Sequence, residues 1–375
     1  MHALVLGLLV TGVTPDSELI QPSEDWQGLD AEIQNLASSL SEGDSVKVGA
    51  VLRSRFTNTG DLQSFDSSAS SDDMSGFDIQ NARLRFSGDV GRYSFYMETE
   101  LATNPNDLWM SSTASSTALT RLLWAGYVDA PLVGTAKARV GYFHAPVLSS
   151  SLYQPEDTLM INRSLLGQEY DFSDPGAMLY GGVGPLGWFL SLQNGVDGTN
   201  EDYSITGRLT YDFGESVFPG VNFANNEGAL GYEATGFDAS LGFVYQNDGG
   251  LSNGDFVGGE GGLVSGPFSL HGEVISYNEQ YDSSIVDPIT GQPVANTSPV
   301  SITGGWLIGD TGYEAAVRWE TVDDVLKTNR WTLGVNLYLA GLGHLNKFQF
   351  NLIRQLSDDA ALEGSLLLLG WTVGI

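Results

Sequence analysis

The chain has 375 residues, with 47 Gly, 8 Trp, 15 Tyr and 17 Phe, which suits one large β-domain better than several small ones. No segment beyond the first residues offers the roughly 20 apolar residues of a membrane-spanning helix, which excludes a bundle of such helices. The formal net charge of -30 argues against nucleic-acid binding, and the absence of Cys excludes disulfides, thiolate metal sites and cysteine nucleophiles.

Residues 1–13 form a short apolar run that is similar to the core of a secretory signal. No Lys or Arg precedes the run and no clear Ala-x-Ala site follows it, so a disordered apolar tail is the alternative. We therefore expect a leader over 1–13, a periplasmic linker over 14–44 and a membrane-embedded domain over 45–375.

Within the linker, residues 23–42 are expected to form a short helix. Leu29, Ile33, Leu36 and Leu40 recur at alternating spacings of four and three, which is a heptad seam. About two heptads are too few for a stable coiled coil alone, so a plug, a linker or a trimerising segment all remain open.

From Ser45 onward the hydrophobic period is two, and we count about sixteen candidate strands of roughly the 9 to 11 residues that a tilted transmembrane strand needs. In the first strand Val46, Val48, Ala50 and Leu52 share one face. The same alternation recurs around residues 81–87, 93–101, 136–142, 188–192, 237–245 and 331–339.

The connections between these strands alternate in length, as in outer-membrane barrels with short periplasmic turns and long external loops. Short turns are expected at 88–91, 131–134, 184–187, 265–267, 309–312 and 340–343, and long segments at 57–76, 102–117, 145–175 and 278–299. Segment 214–236 breaks the rule, because it is long where a short turn is due. It contains either an unrecognised strand or an insertion.

A soluble β-sandwich or β-helix would also alternate, but it would not need an unbroken apolar and aromatic outer face. The pattern therefore favours an all-β protein: a transmembrane antiparallel β-barrel of about sixteen strands, with a short N-terminal helix.

Several ordered motifs resemble the phosphate-selective porin O and P family of Gram-negative outer membranes. They are Asn-Ala-Arg-Leu-Arg-Phe-Ser-Gly at 81–88, Tyr-Ser-Phe-Tyr-Met-Glu-Thr-Glu at 93–100, Ala-Arg-Val-Gly-Tyr-Phe-His-Ala-Pro at 138–146, Met-Ile-Asn-Arg-Ser-Leu at 160–165 and Thr-Gly-Arg-Leu-Thr-Tyr at 206–211. The resemblance covers about 130 residues and implies a sixteen-stranded barrel, usually a homotrimer, whose fifth strand is followed by a loop folded into the lumen.

Alternation alone places the longest loop, 145–175, after the fifth strand, in agreement with that implication. We predict that its Tyr153, Glu156, Asp157 and Arg163 form a constriction. If the loop folds inward, Glu156 and Asp157 face a wall built from the earlier strands.

Strand parity points most basic residues of the early strands into the lumen. They are Lys47, Arg53, Arg55, Arg83, Arg85, Arg121, Lys137 and Arg139. Guanidinium groups bind phosphate or carboxylate in bidentate fashion, so this ladder is one candidate for an anion-binding path. The alternative, which we favour, is that the ladder pairs with Glu98, Glu100 and Asp129 and has no phosphate preference.

These features predict a porin of the bacterial outer membrane, surrounded by its lipids, through which small anions or polar solutes diffuse passively. We expect a homotrimer that binds no nucleic acid and has no cofactor, no metal and no catalytic residue, since none of His2, His144, His271 and His344 lies in a recognisable catalytic motif. The alternatives are a barrel that anchors the envelope through its N-terminal helix, and a barrel enzyme.

Overall fold

The computed structural model describes most of the chain beyond the predicted linker. The described residues are 45–59, 75–101, 123–171, 173–195, 203–220, 225–232, 236–248, 255–278, 296–324, 326–339, 343–359 and 363–375. The predicted leader, the predicted heptad helix and Arg121 lie outside them. Within these ranges, no helix combines the length and the apolar character needed to cross a membrane.

The described part of the chain forms sixteen β-strands, which confirms the strand count expected from the sequence. They are β1 Ser45–Thr59, β2 Ser75–Val90, β3 Tyr93–Glu100, β4 Leu123–Pro131, β5 Lys137–His144, β6 Ser173–Val183, β7 Leu186–Gln193, β8 Ser204–Phe213, β9 Phe237–Asp248, β10 Asp255–Ser265, β11 Phe268–Asn278, β12 Val300–Ile308, β13 Tyr313–Thr321, β14 Asn329–Tyr338, β15 Asn346–Leu356 and β16 Gly364–Gly374.

Each strand lies beside its neighbour in sequence, and β1 pairs with β16 to close the barrel. The seam is completed at the chain end, where the Ile375 amide donates to the Ala50 carbonyl at 2.9 Å and the Ala50 amide donates back at 3.2 Å. Closure gives every strand two hydrogen-bonded neighbours. A sheet in the membrane needs this, because no water is available there to hydrogen-bond the backbone groups of an edge strand.

The outer face of the barrel is apolar and the inner face is polar. In β14, Leu333 is 54% exposed and Trp331 and Val335 are similarly exposed, whereas the intervening Arg330 and Thr332 are buried. Aromatic pairs also lie on this outer face, including Phe348 stacked on Trp371 with ring centroids 5.6 Å apart. Because a soluble β-protein would hide these side chains, the belt identifies the outer face as lipid-facing.

Short turns join the strands at one end of the barrel. Gly91, Gly184 and Gly266 each begin a two-residue connection with a positive φ of 61°, 59° and 56°, a conformation that costs glycine little. The strands extend further into these turns than the sequence predicts: β2 runs to Val90, so its turn is 91–92 rather than 88–91. By the usual asymmetry of such barrels, this end is periplasmic.

Placing Arg at Leu333 in the middle of β14 should lower the free energy of unfolding by about 2–4 kcal/mol, because a guanidinium would face the hydrocarbon core. The matched control is Val183→Arg, at the turn end of β6, where the same change should cost about 0–1 kcal/mol. Denaturant titration of both variants refolded in lipid vesicles measures the difference. Equal losses at the two positions would contradict a lipid-facing belt.

Candidate pore constriction

The segment between β5 and β6, residues 145–171, folds into the barrel; we call it the constriction loop. It contains two short helices, α1 Ser149–Leu152 and α2 Leu165–Glu169, and a 3-10 turn at Pro155–Asp157. The sequence analysis placed this loop after the fifth strand, and most of its side chains are buried.

Apolar side chains of the constriction loop pack against inward-facing apolar positions of distant strands. Val147 and Leu148 join a cluster with wall residues of β9, β10 and β11, namely Val244, Phe256 and Ile275. Further along, Ile161 packs on Ile353 of β15 together with residues of β16. The loop therefore crosses the lumen and contacts the wall on several sides.

Wall carboxylates and amides accept hydrogen bonds from the backbone of the constriction loop. The Ser149 and Ser150 amides donate to Glu260 and Glu273, each at 2.8 Å. The Ile161 amide donates to Asn351 Oδ1 at 2.7 Å. These contacts satisfy backbone donors that would otherwise be buried without a partner.

Arginines of β1 and β2 contact both the loop and carboxylates of the wall. Arg53 donates to the Ile161 carbonyl at 2.8 Å and to Asn81 at 3.0 Å. Arg55 donates through Nε and Nη2 to Asp78, with distances of 3.0 and 2.7 Å.

The next two arginines lie beside three carboxylates. Arg83 pairs with Glu100 at 2.6 Å and with Glu98 at 3.2 Å. Arg85 pairs with Glu98 at 2.5 Å and also with Glu156 of the constriction loop. The contact with Glu156 brings the acidic loop against the basic wall.

The other basic residues named from the sequence are more scattered. Arg139 is buried, pairs with Asp129 at 2.7 Å and lies over the Tyr127 ring with its guanidinium carbon 3.5 Å from the ring centroid. Lys137 is half-buried at the first residue of β5, and Lys47 is exposed near the start of β1. These two lie at the turn end of the barrel, away from the Arg83–Arg85 group.

Two of the four predicted constriction residues, Tyr153 and Arg163, are fixed by polar contacts, one to segment 214–236 and the other within the loop. Tyr153 Oη donates to the Val217 carbonyl at 3.0 Å, and Arg163 pairs with Asp171 and donates to the Tyr153 carbonyl. Both side chains are buried.

Segment 214–236 is an insertion: its described residues, 214–220, 225–232 and 236, contain no strand. We call it the periplasmic insert. Its Val217, Phe218 and Ala229 pack on the inward-facing Val264 of β10, so it lies inside the barrel wall. The length of the segment is compatible with an insertion, but the alternation pattern does not reveal its lumenal position.

The periplasmic insert is attached directly to the constriction loop. The Glu227 amide donates to the Asp157 carbonyl at 2.9 Å, and the Glu227 carboxylate accepts from the Leu159 amide at 2.8 Å. The next residue is Gly228, with φ of +105°, where a Cβ would lie 2.7 Å from Leu159 Cδ2. Glycine is therefore required for this close approach.

A cavity of about 490 Å³ lies where the wall, the constriction loop and the periplasmic insert meet. Its lining comes from β2 and β3, both segments and the β14–β15 turn: Arg85, Tyr96, Gln154, Glu156, Asp157, Asn226, Leu230, Gly231, Gly343, His344 and Leu345. Burial and the neighbouring Glu156 raise the pKa of Asp157 to about 7. Although burial opposes it, Arg85 lowers the pKa of Glu156, so adjacent carboxyls titrate in different ranges.

Basic residues of the later strands also point inward, which the sequence analysis missed. Arg208 of β8, Arg318 of β13 and Lys347 of β15 are all buried. Arg318 pairs with Glu227 of the insert at 3.4 Å, and Lys347 donates to the Thr158 carbonyl at 2.6 Å. The parity rule used for the early strands would have found all three. Inward basic residues are thus not confined to the early strands.

A closed barrel that is apolar outside, charged inside and narrowed by an inward-folded loop defines the architecture of bacterial outer-membrane porins. The lipid-facing belt on such a barrel indicates an outer-membrane protein.

Solved structures support this architecture. The chain is similar to an anion-selective porin from Comamonas acidovorans (TM-score 0.56, 13% identity, 88% of this chain and 100% of that chain). It is also similar to a loop L8 deletion mutant of OmpT, an outer membrane protein of Vibrio cholerae (TM-score 0.58, 8% identity, 89% of this chain and 100% of that chain). A third similar structure is the outer membrane channel DcaP of Acinetobacter baumannii (TM-score 0.53, 12% identity, 89% of this chain and 98% of that chain). No protein-family model matches the chain, and neither does any curated protein. At these identities the likeness establishes the fold.

Raising the pH through about 7 should ionise Asp157 and make current through the barrel more cation-selective, because a negative charge appears at the cavity. The pKa of Asp157 in the folded protein lies above the ordinary value of 3.8. The contribution of Asp157 to the free energy of unfolding therefore falls as the pH rises from about 4 to 7. Reversal potentials measured on both sides of pH 7 test the shift. Asp157→Asn should remove it, and Asp89→Asn at the exposed turn end of β2 should not; an unchanged shift in Asp157→Asn would exclude this origin.

Replacing Glu227 with Ala should release the periplasmic insert from the constriction loop. The change removes the acceptor for the Leu159 amide and leaves Arg318 buried without its carboxylate. We expect this to destabilise the docked position of the insert by about 3–5 kcal/mol. We expect single-channel conductance to rise, because the insert would no longer occupy the lumen. Glu215→Ala, at an exposed position of the same insert, is the control, and identical conductance in both variants would argue against docking.

Proposed function

We propose that this protein is a porin through which small hydrophilic solutes and ions diffuse passively, driven by their concentration gradients. The observation that carries the proposal is the contact between the inward-folded constriction loop and the arginines of β2, through Arg85 and Glu156. A transverse arrangement of opposite charges beside a cavity orients water and polar solutes and disfavours apolar ones.

The arginines of β1 and β2 are matched in number by carboxylates of the wall and the loop, which favours weak ion selectivity. Arg53, Arg55, Arg83 and Arg85 provide four positive charges, and Asp78, Glu98, Glu100 and Glu156 provide four negative ones. Arg55, Arg83 and Arg85 already donate to wall or loop carboxylates. A phosphate ion would have to displace these carboxylates before it could bind.

The finer assignment, a phosphate-selective porin, is supported by the motifs at 81–211 and by the row of arginines. The ion pairs weigh against it, and we therefore propose a general porin in which the arginines maintain the shape of the constriction. Within the same proposal, the chain works among outer-membrane lipids as a homotrimer, which is the assembly that the family resemblance implies.

Planar-bilayer recording under a KCl gradient tests the proposal. The wild type should give ohmic channels with a small reversal potential and no block by low concentrations of phosphate, since its arginines are already paired. Glu98→Gln/Glu100→Gln should unmask Arg83 and Arg85 and shift the reversal potential towards anion selectivity. Glu363→Gln, at a partly exposed residue before β16, is the matched control.

Strong anion selectivity of the wild type with block by low phosphate would instead support the phosphate-selective assignment. An absence of current from folded barrels would contradict the pore itself and leave the envelope anchor as the better explanation.

A further inference from the structure

Three titratable side chains outside the cavity at Glu156 meet on the opposite wall. Glu260 of β10 and Glu273 of β11 lie directly across from each other in the strand pairing, and His271 is two residues before Glu273 on the same inward face. Glu273 is 3% exposed and His271 is 9% exposed. Like charges in directly opposed positions destabilise a sheet unless something compensates them.

The surroundings compensate only part of this charge. Arg208 pairs with Glu260 at 2.5 Å, and the Ser149 and Ser150 amides of α1 donate to Glu260 and Glu273. Two buried carboxylates thus face one arginine. Of the groups packed above them, Tyr153 and Phe218 present ring edges to His271 and bring no positive charge.

Two ligand atoms remain without a hydrogen-bond partner in the described part of the chain. They are Oε2 of Glu273 and Nε2 of His271, both buried. His271 Nε2 lies 3.6 Å from the other Glu273 oxygen, and one donor atom from each of Glu260, His271 and Glu273 falls within 4.8 Å of the others. Leaving such atoms unpaired inside a protein is costly, and a bound cation would satisfy both of them at once.

We propose that Glu260, His271 and Glu273 bind one divalent transition-metal ion, with Zn²⁺ the best match. One imidazole nitrogen and two carboxylate oxygens are a donor set suited to Zn²⁺, whereas Ca²⁺ and Mg²⁺ prefer oxygen ligands alone. A small cavity of about 20 Å³ borders His271 and has room for one water as a further ligand.

The metal has a structural consequence for the pore. Both glutamates also accept backbone hydrogen bonds from α1, so an ion between them holds the constriction loop to β10 and β11. This inference does not depend on which solutes cross the barrel. With the ion bound, β10 and β11 would fix one side of the constriction loop, and the arginines of β1 and β2 contact its other side.

The test uses the full-length barrel, folded in detergent, stripped with a chelator and titrated with Zn²⁺. We expect one Zn²⁺ per chain by elemental analysis after gel filtration, and a rise in Tm on Zn²⁺ addition that the chelator reverses. His271→Ala and Glu273→Gln should each weaken Zn²⁺ binding by about 100-fold and abolish the Tm response.

The matched control is Glu320→Gln. Glu320 is another buried glutamate of the wall that accepts a constriction-loop amide, that of Leu165, but it lies outside the cluster. It should keep both the stoichiometry and the Tm response. A folded wild type that binds no Zn²⁺ would overturn the proposal without reference to any variant. Zn²⁺ binding that survives in both His271→Ala and Glu273→Gln would overturn it equally.

Discussion

The need to pair every backbone polar group in a medium without water is the constraint on which this structure depends. It requires a closed ring of strands, and β1 with β16 completes that ring at Ala50 and Ile375. In a closed ring each strand has one face in lipid and one in the lumen, so the period of two becomes a division between apolar and polar side chains. The charged interior is therefore a consequence of closure, and the constriction is built from it.

A polar lumen also allows a loop to be buried inside it. The constriction loop places Val147, Leu148 and Ile161 against the few inward apolar positions, while wall glutamates accept its backbone amides. On the opposite side the same loop meets Arg53 and Arg85. Side chains that would otherwise only solvate the lumen thus fix the position of the loop, and their pairing determines how much unpaired charge faces the lumen.

The sequence predicts well whatever depends on neighbours along one strand. Strand number, lipid-facing residues and the place of the constriction loop follow from alternation and connection length, because parity is a local property. Partner choice is not local: Arg85 and Glu156 are 71 residues apart, and Arg318 meets Glu227 across 91. The length of segment 214–236 predicts either a further strand or an insertion, and does not reveal that the segment lies in the lumen. Its adjacent Val217 and Phe218, apolar within a Gly- and Asn-rich segment, were the available signal that it is buried.

The junction between the two inward segments decides how the constriction behaves. The Glu227 carboxylate accepts from the Leu159 amide, and the Glu227 amide donates to the Asp157 carbonyl. These two hydrogen bonds join the periplasmic insert to the constriction loop. The same Glu227 pairs with Arg318 of the wall, which ties the junction to β13. Because Asp157 lines the cavity beside the insert, a displacement of the insert would change the width of the cavity and the burial that raises the pKa of Asp157. The width of the cavity and the charge along its edge therefore both depend on the junction at Glu227, and neither is set by the arginines of the early strands alone.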